Sequence, residues 1–124
     1  MFRLLTTASV LLLATFLAGA VLYAEERPVA VSDLKELAGE WQGSLSGVRG
    51  GTVAYTFWVS EDATWKGVSP NGPSNGTLRL DQGVIRFFSQ TTGRRGTLTL
   101  HEVDGKRVLR LQGEGGASFE VTRK

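Results

Sequence analysis

Asp33-Leu34-Lys35-Glu36-Leu37-Ala38-Gly39-Glu40-Trp41-Gln42-Gly43 is the stretch that decides the fold. Ser32 and Asp33 are residue types that cap helix N-termini, and Glu36 stands three positions after Asp33, as in a capping box. Leu34 and Leu37 fall at i and i+3, on one face of a single helical turn. Beyond Gly39 the apolar period changes to two, and it keeps that period, broken by glycine turns, to the end of the chain. A short amphipathic turn that feeds a run of alternating strands predicts a small antiparallel β-barrel, with the turn plugging one end.

The alternation supplies eight inward sets. Trp41, Gly43 and Leu45 share one parity, and Val53, Tyr55, Phe57 and Val59 share the next. Trp65 stands in a short segment of its own. Then follow Leu78 with Leu80, Ile85 with Phe87, Leu98 with Leu100, Leu109 with Leu111, and Phe119 with Val121. Turn signals every 8–12 residues or so, without a later helical pattern, define an all-β class: an eight-stranded up-and-down barrel.

Hairpin arithmetic tests this pattern. Asp104-Gly105 is a two-residue turn of the type that favours positive φ at both positions. It sets Leu100 opposite Leu109 and Leu98 opposite Leu111, as one buried face requires. Gln82-Gly83 sets Leu80 opposite Ile85 and Leu78 opposite Phe87. A five-residue loop over Gly47–Gly51 sets Leu45 opposite Val53 and Trp41 opposite Phe57. Around Glu61-Asp62, a two-residue loop places Trp65 opposite Trp58 on the outside. A three-residue loop ending at Ala63 places it inside, opposite Val59, and the apolar face favours this register. The longest expected break is Ser69–Gly76, which contains Pro70 and Pro73 and reads as a stiffened connection or a lid.

Outside this region the chain changes character. Residues 1–24 carry one charge, Arg3, followed by an apolar run and small residues at Ala18-Gly19-Ala20 and Ala24. This is the pattern of a secretory signal peptide, so the protein is expected to be exported, to a periplasm or outside the cell. Contact with a membrane is expected only if that segment stays uncleaved, since about 20 apolar residues can span a bilayer. Residues 25–32, with Pro28, read as a tether, and residues 33–124 as the barrel domain. There is no cysteine, which excludes disulfides and a lipid-modified N-terminal cysteine. Of 14 basic residues only Arg3 lies in the leader, and all 12 acidic residues lie beyond it, leaving a net charge of +1. So balanced a domain offers no electrostatic basis for binding nucleic acid.

Gly39-Glu40-Trp41 after a short helical turn resembles the Gly-x-Trp entry of the calycins: lipocalins, fatty-acid-binding proteins and avidins. The resemblance spans Asp33 to Lys124 and rests on those three residues together with the eight-strand meander. It implies that a basic residue near the end of the barrel packs on the tryptophan. Arg123 shares parity with Phe119 and Val121 and meets that expectation. The meander is shorter than a typical lipocalin and has no C-terminal helix.

Enzyme chemistry is poorly supplied, and the protein is expected not to be an enzyme. His101 is the only histidine, and the Asp104-Gly105 register turns it outward, exposed, beside Thr99. No nucleophile-elbow pattern accompanies it. No metal-ligand cluster is present either, so no metal or cofactor is expected. Two binding surfaces stand as alternatives. The first is the interior, where Trp41, Tyr55, Phe57, Trp65 and Phe87 would hold a small apolar or aromatic molecule, with Arg123 as an orienting group; Gly43 and Gly67 would leave it room. The second is the outer face, where Trp58, Arg79, Arg86 and Phe88 point away from a solid core and would meet another envelope protein, an anionic glycan or a headgroup. The Gln82-Gly83 turn sets Arg79 directly opposite Arg86, a like-charge pair that is mildly destabilising by itself.

Overall fold

The computed structural model describes residues 25–48 and 51–124. The expected signal peptide, residues 1–24, lies outside the described residues. Among the described residues there are nine strands: β1 (Glu26–Val29), β2 (Gly39–Val48), β3 (Gly51–Val59), β4 (Thr64–Ser69), β5 (Gly72–Asp81), β6 (Val84–Ser89), β7 (Arg95–Val103), β8 (Lys106–Gly113) and β9 (Ser118–Arg123). Each of β2 to β9 pairs antiparallel with the next, and β9 returns to β2 from Trp41↔Arg123 to Ser46↔Ser118. The eight strands therefore form a closed up-and-down barrel.

The turns carry the register. Gln82 and Gly83 have φ of 50° and 81°, Asp104 and Gly105 of 51° and 80°. Both hairpins thus have the doubly positive φ whose twist matches the flanking strands. They align Leu78↔Phe87, Leu80↔Ile85, Leu98↔Leu111 and Leu100↔Leu109. Between β3 and β4 the Ser60 amide still donates to the Thr64 carbonyl oxygen at 2.9 Å, so the loop beyond that bond is three residues long, 61–63. Its last residue, Ala63, takes φ of 66°, and Val59 pairs with Trp65. The one-residue difference from a two-residue loop is what turns Trp65 into the core.

The inward sets meet in one core. Trp41, Tyr55, Phe57, Val59, Trp65, Leu78, Ile85, Phe87, Leu98, Leu100, Leu109, Leu111, Phe119 and Val121 are all buried. The 3-10 turn Leu34–Leu37 closes one end, with Leu37 fully buried. The Asp33 carboxylate accepts from the Lys35 amide at 2.9 Å, and the Ser32 hydroxyl donates to Glu36 at 3.0 Å. The reciprocal contact of the expected capping box is thus made from a side chain rather than from the cap's backbone.

Two expectations change. Residues 26–29, read as part of a tether, form β1 and pair with β7 from Glu26↔Val103 to Val29↔Leu100. β6 occupies only residues 95–98 of the same β7 edge, so its remaining half is free for β1. Pro28 fits because β1 is paired on one side only. The expected long connection Ser69–Gly76 is a tight turn, with Ser69↔Gly72 and Val68↔Pro73 already in the ladder. Residues 72–74 have no ladder partner on the β6 side, which is why a proline is tolerated at position 73, whereas the Asn75 carbonyl oxygen accepts from the Gln90 amide at 2.9 Å.

Candidate functional site

The interior residues come together. Trp65 and Phe87 stack with centroids 4.6 Å apart and planes at 18°. Phe57 lies 5.4 Å from Trp65 and 4.9 Å from Phe119, and Tyr55 lies 5.3 Å from Phe119. Pairs at these separations contribute about 0.5–1.5 kcal/mol each beyond area burial. The rings also occupy the space above the small inward residues. A Cβ on Gly67 would strike the Tyr55 hydroxyl, and one on Gly76 would reach the Trp65 indole at 2.7 Å. At Gly43 a Cβ would strike the Glu120 carbonyl oxygen. The room expected at Gly43 and Gly67 is therefore already taken, by backbone in one case and by Tyr55 in the other. Burial pushes the Tyr55 hydroxyl up from its ordinary pKa, and the Ser74 hydroxyl beside it pulls partly the other way. Trp65 directs its indole N–H to the Phe88 carbonyl oxygen at 3.1 Å.

At the plugged end, Trp41 donates its indole N–H to the Leu37 carbonyl oxygen at 2.9 Å. The Arg123 guanidinium sits 4.9 Å from the centre of the Trp41 ring. It also donates to the carbonyl oxygens of Glu36 and Ala38 at 2.9 and 2.8 Å. One side chain thus covers the indole and satisfies two carbonyls of the turn, which otherwise lack intrahelical partners. Arg123 lies at this end, joined to the turn, and not among Tyr55, Phe57 and Phe87.

The outer face has a different chemistry. A groove of about 1080 Å³ runs over β5–β8, with Arg79, Arg86, Phe88, Arg95 and Glu114 among its lining residues. Arg79 is directly opposite Arg86, and Phe88 is directly opposite Arg95. Arg86 approaches the Asp81 carboxylate at 4.0 Å and keeps 51% of its side chain exposed. Among the described residues, Arg79 and Arg95 have no carboxylate within ion-pair distance. Glu114 is engaged by the Arg95 backbone amide at 3.1 Å. Arg95 was not among the residues expected at this face, because the β6–β7 connection had no turn signal that set its length. Once Ser89 bonds to the Arg94 carbonyl oxygen at 2.9 Å, the next residue must face the groove.

Trp58 stands apart from this group. It is on β3, opposite Glu40 and Lys66, and β4 separates it from β5. Its indole N–H donates to Glu40 at 2.9 Å, and Glu40 also receives Lys124 at 3.0 Å. Lys124 first and then Trp58 hold the Glu40 carboxyl below the usual carboxylate range. With 37% of its surface exposed, Trp58 is partly engaged by its own sheet. A second, shallower hollow of about 470 Å³ lies over the outer face of β2–β4, near Ala54 and Thr56.

His101 is the other correction. Its side chain is only 19% exposed, with Nδ1 at 3.5 Å from Glu26 and Nε2 at 2.9 Å from the Thr99 hydroxyl. The cover comes from β1, which lies across residues 100–103 of β7. Among the described residues, no three His, Asp or Glu side chains gather as metal ligands.

The fold and these surfaces define a class: a small closed β-barrel, with an aromatic interior and an arginine-lined outer groove. Comparison with protein families, with curated proteins and with solved structures finds no match to this chain.

Proposed function

We propose that the protein is an exported, non-catalytic interaction module whose core is structural and whose outer arginine groove binds an acidic surface on an envelope protein. The observation that carries this is the outer cluster of the Arg79–Arg86 pair with Arg95, which lies opposite half-buried Phe88. Among the described residues, two of its three guanidinium groups have no carboxylate within ion-pair distance, and two arginines are forced opposite one another across a strand pair. A carboxylate-bearing partner relieves that repulsion, and Arg beside an aromatic is the composition of interface hot spots. Trp58, with its own carboxylate neighbour, is peripheral to this groove.

The test is binding of a fluorescent polyglutamate peptide to the barrel domain at low and moderate salt. The expected result is salt-sensitive binding that the double change Arg79→Glu, Arg86→Glu abolishes without moving Tm by more than a few degrees. Equal binding by the charge-reversed protein contradicts the proposal.

A second proposal rests on the plugged end. The Gly-x-Trp entry, with Arg123 over Trp41, supports kinship with the calycins, whose members hold small molecules inside. On that basis the interior would take a small apolar ligand among Trp41, Tyr55, Phe57, Trp65 and Phe87. The ring-to-ring packing and the filled spaces over Gly67 and Gly76 favour the outer groove instead. Quenching of Trp65 fluorescence by an apolar probe such as anilinonaphthalene sulfonate, lost in Trp65→Phe, would reverse that preference.

A further inference from the structure

We infer that the hairpin turn at Asp104 is a docking site for the α-amino group of a chain that begins at Glu25, and hence that the leader is removed at the Ala24–Glu25 bond. This rests on the reading of residues 1–24 as an export signal. The Glu25 backbone nitrogen donates to the Asp104 carboxylate at 3.2 Å, and the Asp104 amide donates back to the Glu25 carbonyl oxygen at 3.0 Å. One residue of the β7–β8 turn therefore grips both backbone groups of Glu25 from 79 positions away. Among the described residues the anchoring continues along the strand: Glu26 is bonded to Arg110, and Arg27 to Glu102 at 2.8 Å. By sequence, Val21-Leu22-Tyr23-Ala24 still belongs to the apolar run.

Hydrolysis at Ala24–Glu25, with water and a signal-peptide-type protease of the envelope, breaks one amide bond. It leaves a carboxylate on Ala24 and an ammonium on Glu25. The nitrogen that carries the new charge is the atom that already faces Asp104, so a hydrogen bond from a neutral amide to a carboxylate becomes an ion pair. Other charged groups at this end are Glu102, occupied by Arg27 and, at 3.7 Å, by Arg107, Lys106 beyond the turn, and the Glu25 side chain itself. Asp104 is the group bonded to the nitrogen. The α-amino pKa in the folded protein is then raised above its ordinary 7.7–8.0 or so. The stability it adds is present below the unfolded value and is lost as pH rises through the folded one.

The test has two arms. Intact-mass analysis of the full chain expressed in its own host and recovered from the envelope should give a chain that starts at Glu25. A start at Val21, or an uncut chain, overturns the inference. In the ¹⁵N-labelled processed protein, the α-amino group should titrate about half a unit or more higher than in Asp104→Asn. Asparagine keeps the acceptor oxygen and suits the positive φ of 51° at this position, so the variant removes only the charge. Identical titration in both proteins overturns the docking even if the cut is at Glu25. Neither arm depends on the arginine groove.

Discussion

Trp41 joins the plug, β2 and the end of β9 through one side chain. Trp41→Ala removes a buried indole, its hydrogen bond to Leu37 and the surface under Arg123. A loss of about 3–5 kcal/mol is expected in urea unfolding. Gly67→Ala forces a methyl group against Tyr55, and overpacking of this kind costs about 1–3 kcal/mol. Tyr55→Phe removes the oxygen that the methyl strikes, so the double variant should recover part of that loss in the same measurement. Strict additivity would contradict the contact. The inward place of Trp65 was legible in sequence, because only a three-residue loop joins it to the apolar face. The filling of Gly67 was not, because parity tells which way a residue points and not how far a neighbouring ring leans.

Among the elements, β1 is the one that alternation misses. Glu26-Arg27-Pro28-Val29 has no apolar period, and it forms a strand because β6 leaves half of β7 unpaired. Ion pairs from Glu26 and Arg27 reinforce its backbone ladder to β7. The Arg110 hydrogen bond is the main reason that the Glu26 carboxyl lies below the usual carboxylate range. The group's contribution is therefore present above the unfolded carboxyl value, about 4.3, and lost as pH falls through the lower folded value. Glu26→Gln should lower Tm at pH 7, and its difference from the unaltered protein should shrink below about pH 4. A difference independent of pH would mean that β1 is held by its backbone ladder alone. The same strand explains why His101, outward by register, is nevertheless covered. The hairpins β5–β6 and β7–β8 follow directly from Gln82-Gly83 and Asp104-Gly105, since two-residue loops leave no freedom of register.

At the scale of the whole molecule, closure puts the alternating apolar sets inside and leaves an outer face that carries arginines as well as Trp58 and Phe88. Arg79 and Arg86 were expected to face each other, and they do. Their grouping with Arg95 depends on the β6–β7 connection, which lacks a two-residue turn signal, and the separation of Trp58 depends on how many strands lie between β3 and β6. Those are properties of strand order and loop length rather than of any local pattern. The central claim is that the interior is structural and that recognition takes place on the outer groove. The most direct measurement is a ¹H–¹⁵N map of backbone amides, arginine Nε and tryptophan indoles during titration with polyglutamate peptide. The account predicts shifts at Arg79, Arg86 and Arg95 and along residues 77–97, with the Trp41 and Trp65 indoles unmoved. Shifts confined to the indoles of Trp41 and Trp65, or an unchanged groove, would contradict it.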